Sequence, residues 1–376
     1  MATPRRIAII TGSRAEFGLL EPVLGALTSR PAVRPQLIVT GMHLLAKFGR
    51  SVDHIRAAGW RVDAAVPMQT GRDDPDAEPQ ALARGIAGIA AALKRLRSDI
   101  VVVLGDRIEA FAGACAAAVG RRVLAHIHGG DRAPGDVDDS LRNAITRLAH
   151  VHFAVSREAA ERLRRMGEES WRIFTVGAPG LDAVRSPARS VPAELRPAGR
   201  YAVVVQHPIG RDAAREAAVM RAILKAVRAN RLNGAILYPS SDPGHTGIIQ
   251  AIRQWGRPPG WNVFRSLPRA DYLALAKGSA VLVGNSSSGI IESGALGVPA
   301  VNVGDRQAGR LKCGPNVIDC GETFESIRRA IGRALKRPRQ RPVRSVYGDG
   351  RAGQRIARTL ERLALTPALL RKRLAW

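Results

Sequence analysis

The sequence predicts an α/β protein built from two doubly wound, Rossmann-like parallel-sheet domains, and three observations carry that prediction. Short apolar runs alternate with helix-length amphipathic stretches, the pattern of a parallel sheet covered on both faces. The alternation stops at RSPARSVPAELRPAGR (185–200), which has three prolines and no periodicity, and then restarts. The chain of 376 residues is long enough for two domains of ordinary size, and a hydrophobic content of 45% can furnish a core for each.

Taken in order, RIAII (6–10) reads as the first buried strand. It runs through TGSRAEFG (11–18) into a helix expected from about Leu19. QLIVT (36–40) is the next strand, and a helix near 80–96 precedes the strand in DIVVVLGD (99–106). RVLAHIHGG (122–130) follows as another strand. DDSLRNAITRLAHV (138–151) reads as a helix with Leu141, Ile145 and Leu148 on one face, after an Asp cap. HVHFAVS (150–156) and RIFTVG (172–177) complete a first domain, 1–185. In the second, 200–350, strands are expected at YAVVVQH (201–207), GAILYP (234–239), NVFRS (262–266), AVLVGN (280–285) and PAVNVG (299–304). Ligands of such folds sit beyond the C-terminal ends of the strands, which between two domains means the cleft.

Composition narrows the function classes. Cys115, Cys313 and Cys320 are odd in number and not in CxxC pairs, so they make neither a disulfide framework nor a zinc knuckle. No apolar run approaches the length of a membrane span, and MATPRRIAII lacks a signal-peptide core, so the cytoplasm is the expected setting. The formal charge of +26 raises nucleic-acid or other polyanion binding. Against nucleic acid, the arginines are spread along the whole chain and aromatics are only 4%. The densest basic clusters are RALKRPRQRPVR (333–344) and the tail LLRKRLAW (369–376).

Chemistry-bearing residues gather where strands end. In TGSRAEFG, backbone N–H groups and Arg14 suit an anion, although a tight turn with a solvated arginine would look the same. Asp106 and Arg107 follow a fully buried strand, as a proton acceptor and phosphate clamp or as a helix cap with a solvated arginine. GNSSSGIIESGALG (284–297) ends a buried strand in Asn and three serines where a helix begins. Ser286, Ser287 and the helix N-terminus suit a phosphate there, and Glu292 suits two vicinal hydroxyls such as those of ribose. YPSSDPGH (238–245) and VQHPIGR (205–211) add His207, Asp242, Gly244 and His245 at strand ends of the same domain. AHIHGGD (125–131) raises a metal site, with His126 and His128 expected on one strand face. Only Asp131 stands by to close a set of about three ligands, so the reading is no metal.

These blocks, in this order, resemble the UDP-N-acetylglucosamine 2-epimerase family, and specifically its hydrolysing branch in sialic- and legionaminic-acid biosynthesis. The resemblance rests on TGSRAEFGLL, GDRIEA, HIHGGD followed by DDSLRNAITRLAH, VGAPGLD, His207–Pro208, DPGH, GNSSSGIIE, GVPAVNVGDRQAGR and NVIDC. It implies the GT-B fold, with a C-terminal helix (351–376) crossing back to the first domain. Ser286 and Ser287 would then bind phosphates and Glu292 the ribose. Arg14, His207 and Arg306 would neutralise the diphosphate, and the turn of Asp242, Gly244 and His245 would approach the nucleotide. Asp106 matches an acid/base carboxylate with Arg107 beside it, and Asp138 matches another. Many relatives carry Glu at the place of His128, so the base at C2 stays open between His128, with Asp131 near it, and a carboxylate.

The implied substrate is a nucleotide sugar, UDP-linked in preference to GDP-linked: UDP-GlcNAc or a 4-acetamido-4,6-dideoxy relative. The implied reaction eliminates UDP to a 2-acetamidoglycal and adds water with inversion at C2, which calls for no redox cofactor and no obligatory metal. Family members commonly self-associate, so a homo-oligomer is expected. The alternatives are a non-hydrolysing epimerase returning UDP-ManNAc, a GT-B glycosyltransferase that needs an acceptor, and a basic polyanion-binding protein.

Overall fold

The computed structural model describes residues 3–72, 74, 76–133, 137–185, 190–337 and 345–375. Residues 186–189 of the linker, 338–344 of the basic run and Trp376 lie outside the described residues. The chain divides into two units. One gathers the described residues of Met1–Asp131, Val137–Ala183 and Tyr347–Trp376, the other those of Arg132–Asp136 and Val184–Val346.

The first unit is built on strands β1 (Arg5–Thr11), β2 (Val33–Thr40), β3 (Ala64–Val66), β4 (Ile100–Leu104), β5 (Val123–Ile127), β6 (Val151–Ala154) and β7 (Ile173–Thr175). They form one parallel sheet in the order β3-β2-β1-β4-β5-β6-β7. Side chains alternate between two separate cores. Ile7, Ile9, Val102 and Ala125 belong to one; Ala8, Ile10, Val101, Val103 and Leu124 belong to the other. A sheet buried on both faces explains why these strands read as unbroken apolar runs rather than alternating ones. Each fully buried Ile, Val or Leu contributes ~1.5–3 kcal/mol. Helix Ala352–Arg362 sets Ile356, Ala357 and Leu360 into the first core. Its start is capped by Asp182, which accepts from the N–H groups of Ala352 (2.9 Å) and Gly353 (2.7 Å).

The second unit holds β8 (Tyr201–Val205), β9 (Asn233–Leu237), β10 (Asn262–Phe264), β11 (Val281–Gly284), β12 (Ala300–Val303) and β13 (Val317–Cys320). Their parallel sheet runs β10-β9-β8-β11-β12-β13. In both sheets the order reverses beside the first strand, between β1 and β4 and between β8 and β11. Such a switch point is where α/β folds place ligands.

Four local expectations need correction. The first helix begins at Arg14, not near Leu19, because the Ser13 side chain caps it by accepting from the Glu16 N–H. Helix Asp138–Leu148 has no Asp cap: Val137 holds the cap position without a side-chain bond. Strand β5 stops at Ile127, and His128 turns to φ +68°, so His126 and His128 do not share a strand face. After β11 there is no single helix: Ser287–Ile291 ends at Glu292, and Ser293–Leu296 starts anew. The edge strands β3 and β13 went unpredicted, the first because Ala-Ala-Val is too short and too small to announce itself.

Candidate functional site

At the ends of β4 and β5 the first unit assembles a cluster around Arg142, a residue of helix Asp138–Leu148 that is 1% exposed. Its guanidinium forms an ion pair with Asp106, donates to Asp139 Oδ1 at 3.4 Å and donates to the His128 carbonyl at 3.4 Å. Asp106 precedes the helix Ile108–Val119, whose cap position is taken by Arg107, so the carboxylate is not that helix's N-cap. One arginine thus ties together the turn after β4, the turn after β5 and the helix that begins with Asp138.

His128 and Asp131 form a buried pair, with Nδ1 3.0 Å from Asp131 Oδ2. A carboxylate only accepts, so Nδ1 carries the hydrogen and Nε2 of the neutral ring is left as the basic nitrogen. Nε2 is buried and has no hydrogen-bond partner among the described residues. A non-glycine residue at φ +68° is strained, and the contacts from Arg142 and Asp131 hold it there.

His126 lies differently. Its Nε2–H donates to the Gly105 carbonyl (2.8 Å), and Nδ1 accepts from Thr146 Oγ1 (3.2 Å). Burial pushes its pKa down to about 3. With both nitrogens engaged, His126 is a structural brace and not a free ligand. Among the described residues no group of three His, Cys, Asp or Glu side chains converges on a point that could hold a metal ion.

Beneath the β1–β4 switch point lie two buried carboxylates that the motif reading passed over. Glu16 accepts from the Gly12 N–H at 2.6 Å, and Glu109 accepts from Arg107 Nε at 3.2 Å. Burial, reinforced by the nearby Glu109, raises the Glu16 pKa to about 8 even though the Gly12 bond opposes the shift. Ser-x-x-Glu in SRAE is the capping signal that could have found Glu16. Glu109 left no such trace; its place shows in the backbone, because a Cβ on Gly12 or Gly41 would strike its side chain. His43, held by Thr11 Oγ1 (3.1 Å) and Ser51 Oγ (2.8 Å) and lowered to about 3 by burial, supports the same turn. Arg14, the first helical residue, is half-buried beside it.

The second unit gathers a different set at the ends of β8, β9 and β11. Asn285 clamps His207: its Oδ1 accepts from the His207 N–H (2.7 Å) and its Nδ2 donates to the His207 carbonyl (2.8 Å). The ring Nδ1 of His207 accepts from the Ser240 N–H at 3.0 Å, which makes Nε2–H the donor. Ser240 Oγ donates to Asp242 at 2.7 Å, and the His245 Nδ1–H donates back to the Asp242 carbonyl (3.1 Å). Gly244, at φ +93°, opens helix His245–Trp255 where a Cβ would strike the Arg211 carbonyl oxygen. Arg306 donates to the Asn285 carbonyl at 3.3 Å, beside Gln307 at 2.9 Å. Gly284, at φ +131°, lets β11 turn against the Val205 carbonyl, where a Cβ would collide. Ser286 and Ser287 are half-buried at the start of a five-residue helix, so hydroxyls and N–H groups, rather than a long helix dipole, are what they offer an anion.

Glu292 is already occupied by neighbours. It is 2% exposed, ion-paired with Arg269, and accepts from Ser288 Oγ at 2.6 Å, with Tyr272 donating to that same hydroxyl at 2.7 Å.

Residues 25–361 match the family described as UDP-N-acetylglucosamine 2-epimerase. The chain is 32% identical over 374 residues to a UDP-N,N'-diacetylbacillosamine 2-epimerase (hydrolyzing) of Legionella pneumophila, covering 98% of both chains. It is also 32% identical over 337 residues to a UDP-N-acetylglucosamine 2-epimerase of Neisseria meningitidis, covering 88% of this chain and 87% of the relative. In three dimensions it resembles the UDP-GlcNAc 2-epimerase of Methanocaldococcus jannaschii, solved with UDP-GlcNAc and UDP. That likeness has a TM-score of 0.78 and 18% identity, over 94% of this chain and 99% of that one, and it supports a fold of the GT-B type. On this sequence match, and on a fold consistent with it, the chain belongs to the UDP-N-acetylglucosamine 2-epimerase family.

Proposed function

We propose that the protein is a hydrolysing nucleotide-sugar 2-epimerase. It converts UDP-GlcNAc, or a 4-acetamido-4,6-dideoxy relative, to UDP and the free sugar of manno configuration. The observation that carries this reading is the coupling of Asp106 to the turn of His128 through Arg142, with His128 Nε2 left as a buried base by Asp131. The match to the Legionella hydrolyzing enzyme along 98% of both chains supports the hydrolysing branch.

The chemistry explains the division of groups. The C2–H of the sugar is not acidic until the C1–O bond to the diphosphate weakens and C1 gains oxocarbenium character. Arg14, Arg306, the His207 Nε2–H and the hydroxyls of Ser286 and Ser287 take up the negative charge that develops on the departing diphosphate. Asp242, Gly244 and His245 shape the turn that approaches the nucleotide, and Glu292 serves the ribose after exchanging its Arg269 contact. His128 Nε2 removes the C2 proton, oriented by Asp131 as a carboxylate orients histidine in a triad. The electron pair forms the C1–C2 double bond, the C1–O bond breaks, and UDP leaves a 2-acetamidoglycal. Water then adds its oxygen to C1 while C2 receives a proton on the opposite face. Asp106, with Arg107 beside it, and Asp138 are the acid/base carboxylates for that second half. The reading sets the reaction in the cytoplasm and expects a self-associating enzyme, which sedimentation would check.

NMR of the product formed in D₂O from a panel of UDP- and GDP-sugars tests the reading. Free manno sugar carrying deuterium at C2 is the expected product. A UDP-linked manno product would instead place the chain in the non-hydrolysing branch. Substrates left inert across the panel would overturn both.

A further inference from the structure

We propose that Lys372, in the C-terminal tail, is a positioning residue for the acid–base cluster of the first unit, acting through the helix that carries Asp138 and Arg142. The tail LLRKRLAW stands out in the sequence for its charge, yet its lysine is turned inward. Lys372 Nζ donates to the carbonyls of Thr146 (2.8 Å) and Arg147 (3.0 Å) and pairs with Glu168 at 2.6 Å. Those carbonyls belong to the last turn of helix Asp138–Leu148, whose C-terminal end favours a cation; the Thr146 carbonyl also accepts from the Ala149 N–H (3.2 Å).

The far side of the contact is as firmly built. Glu168, 1% exposed, also accepts from His152 Nε2 (2.9 Å) and from Arg147 (3.1 Å). Arg172, 1% exposed, anchors the tail by donating to the Leu369 carbonyl at 2.8 Å while it donates to the His150 carbonyl at 3.2 Å. The Ala375 N–H closes the end onto the Gly167 carbonyl at 2.8 Å.

From Lys372 the contacts run to the chemistry without a gap. Thr146, whose carbonyl the lysine holds, donates through its hydroxyl to His126 Nδ1 (3.2 Å). His126 Nε2–H then fixes the Gly105 carbonyl (2.8 Å), one residue before Asp106. One turn back from Thr146 on the same helix, Arg142 grips Asp106 itself and the His128 carbonyl. Two braces thus leave one helix for one turn, and the lysine sets the axial position of that helix. Displacements of about 1 Å at a reacting group cost up to ~10²-fold in rate. A residue that holds the helix in place therefore shows in turnover before it shows in ligand affinity.

The proposal rests on the acid–base reading of Asp106 and His128, so its test carries one readout that does not. In the full-length protein, Lys372→Met is expected to lower kcat about tenfold on an accepted nucleotide sugar, with KM and the Kd for UDP within about twofold. Lys372→Arg is expected to recover most of the loss. In ¹⁵N-histidine-labelled protein, Lys372→Met should also disturb the Nε2–H tautomer signature of His126, whether or not a substrate has been found. Wild-type kcat in Lys372→Met, or a lowered Tm with kcat intact, would overturn the proposal. So would an unchanged His126 signature. If Lys372→Met does not fold, Glu168→Gln loosens the same lysine and should move kcat and the His126 signals in the same direction; unchanged values there would sink the idea equally. Inert wild-type enzyme paired with a disturbed His126 would count against the epimerase reading alone.

Discussion

The two switch points of this chain share a topology and differ in what chemistry they are furnished with. Around the ends of β1, β4 and β5 the first unit gathers ionisable groups: the buried Glu16, Glu109, His128, Asp131 and Arg142, with the partly exposed Asp106 paired to that guanidinium. Around the ends of β8, β9 and β11 the second unit gathers neutral donors held by an asparagine clamp (Asn285, Ser240, Ser286 and the His207 Nε2–H), beside Arg306, Asp242 and the Glu292–Arg269 ion pair. The carboxyl groups and the imidazole of the first set are the kinds of group that exchange protons, with Glu16 raised by burial, while the Arg142 guanidinium stays charged and holds its partners in place. The neutral donors of the second set can hold a charge without changing their own. On the proposed function, the same backbone solution serves two tasks, and the side chains decide which.

If that division is right, substitutions in the acid–base cluster of Asp106 and His128 should cost turnover and leave nucleotide affinity alone. The largest effect is expected for His128→Ala: a loss of kcat of ~10²–10⁴-fold, the usual worth of a general base. The Kd for UDP should change less than threefold, and C2 deuterium incorporation should be suppressed. Unchanged exchange at C2 would return the base role to Asp106 or Asp138. Asp106→Asn should lose turnover on a similar scale by removing the partner of Arg142. Near wild-type turnover would remove Asp106 from the mechanism.

The second switch point should behave in reverse. His207→Ala and Arg306→Ala each delete a donor that the proposed reading assigns to the diphosphate, and a hydrogen bond to a charged group contributes about 1.5–3 kcal/mol. UDP affinity measured by calorimetry should fall ~10–100-fold. The exchange chemistry of substrate that does bind should be less affected. A loss confined to kcat, with UDP binding intact, would break the contrast between the two units.

How legible this was in the sequence differs along the same line. The strands were open to reading because a doubly covered parallel sheet writes itself as apolar runs separated by amphipathic ones, whereas their order in the sheet was not. The neutral cluster was legible too: Asn285, Ser286, His207 and the Asp242 turn all sit in turn-forming stretches directly after strands. The ionisable cluster was only half legible. Asp106, His128 and Asp131 follow strands, but Arg142 is a charged residue inside a helix and looks in sequence like any solvated arginine. Glu109 looks like an exposed helical glutamate, and although Ser-x-x-Glu marks Glu16, nothing local says that either carboxyl is buried. The pairing of His128 with Asp131 needed the left-handed turn at His128, which a strand reading of AHIHGGD does not contain. Short-range grammar reports turns and faces; it does not report which charges the tertiary fold takes out of water.

The smallest predicted effect isolates one such charge. Glu16 has its pKa raised by burial from an ordinary 4.5 to about 8. The folded protein therefore binds this proton more tightly than the unfolded chain does. The resulting stabilisation is fully present below pH 4.5 and is lost as pH rises through about 8. Glu16→Gln keeps an oxygen able to accept from the Gly12 N–H but has no proton to lose. Other titrations, including those of His43 and His126, are common to both proteins and cancel in the difference between their melting curves. Wild type should therefore lose Tm relative to Glu16→Gln between pH 5 and pH 8, by about a few degrees. A gap that stays constant over that range would mean that Glu16 is ionised in the folded state at all these pH values. The first switch point would then carry one more fixed charge, and its contrast with the second would rest on His128, Asp106 and their partners alone.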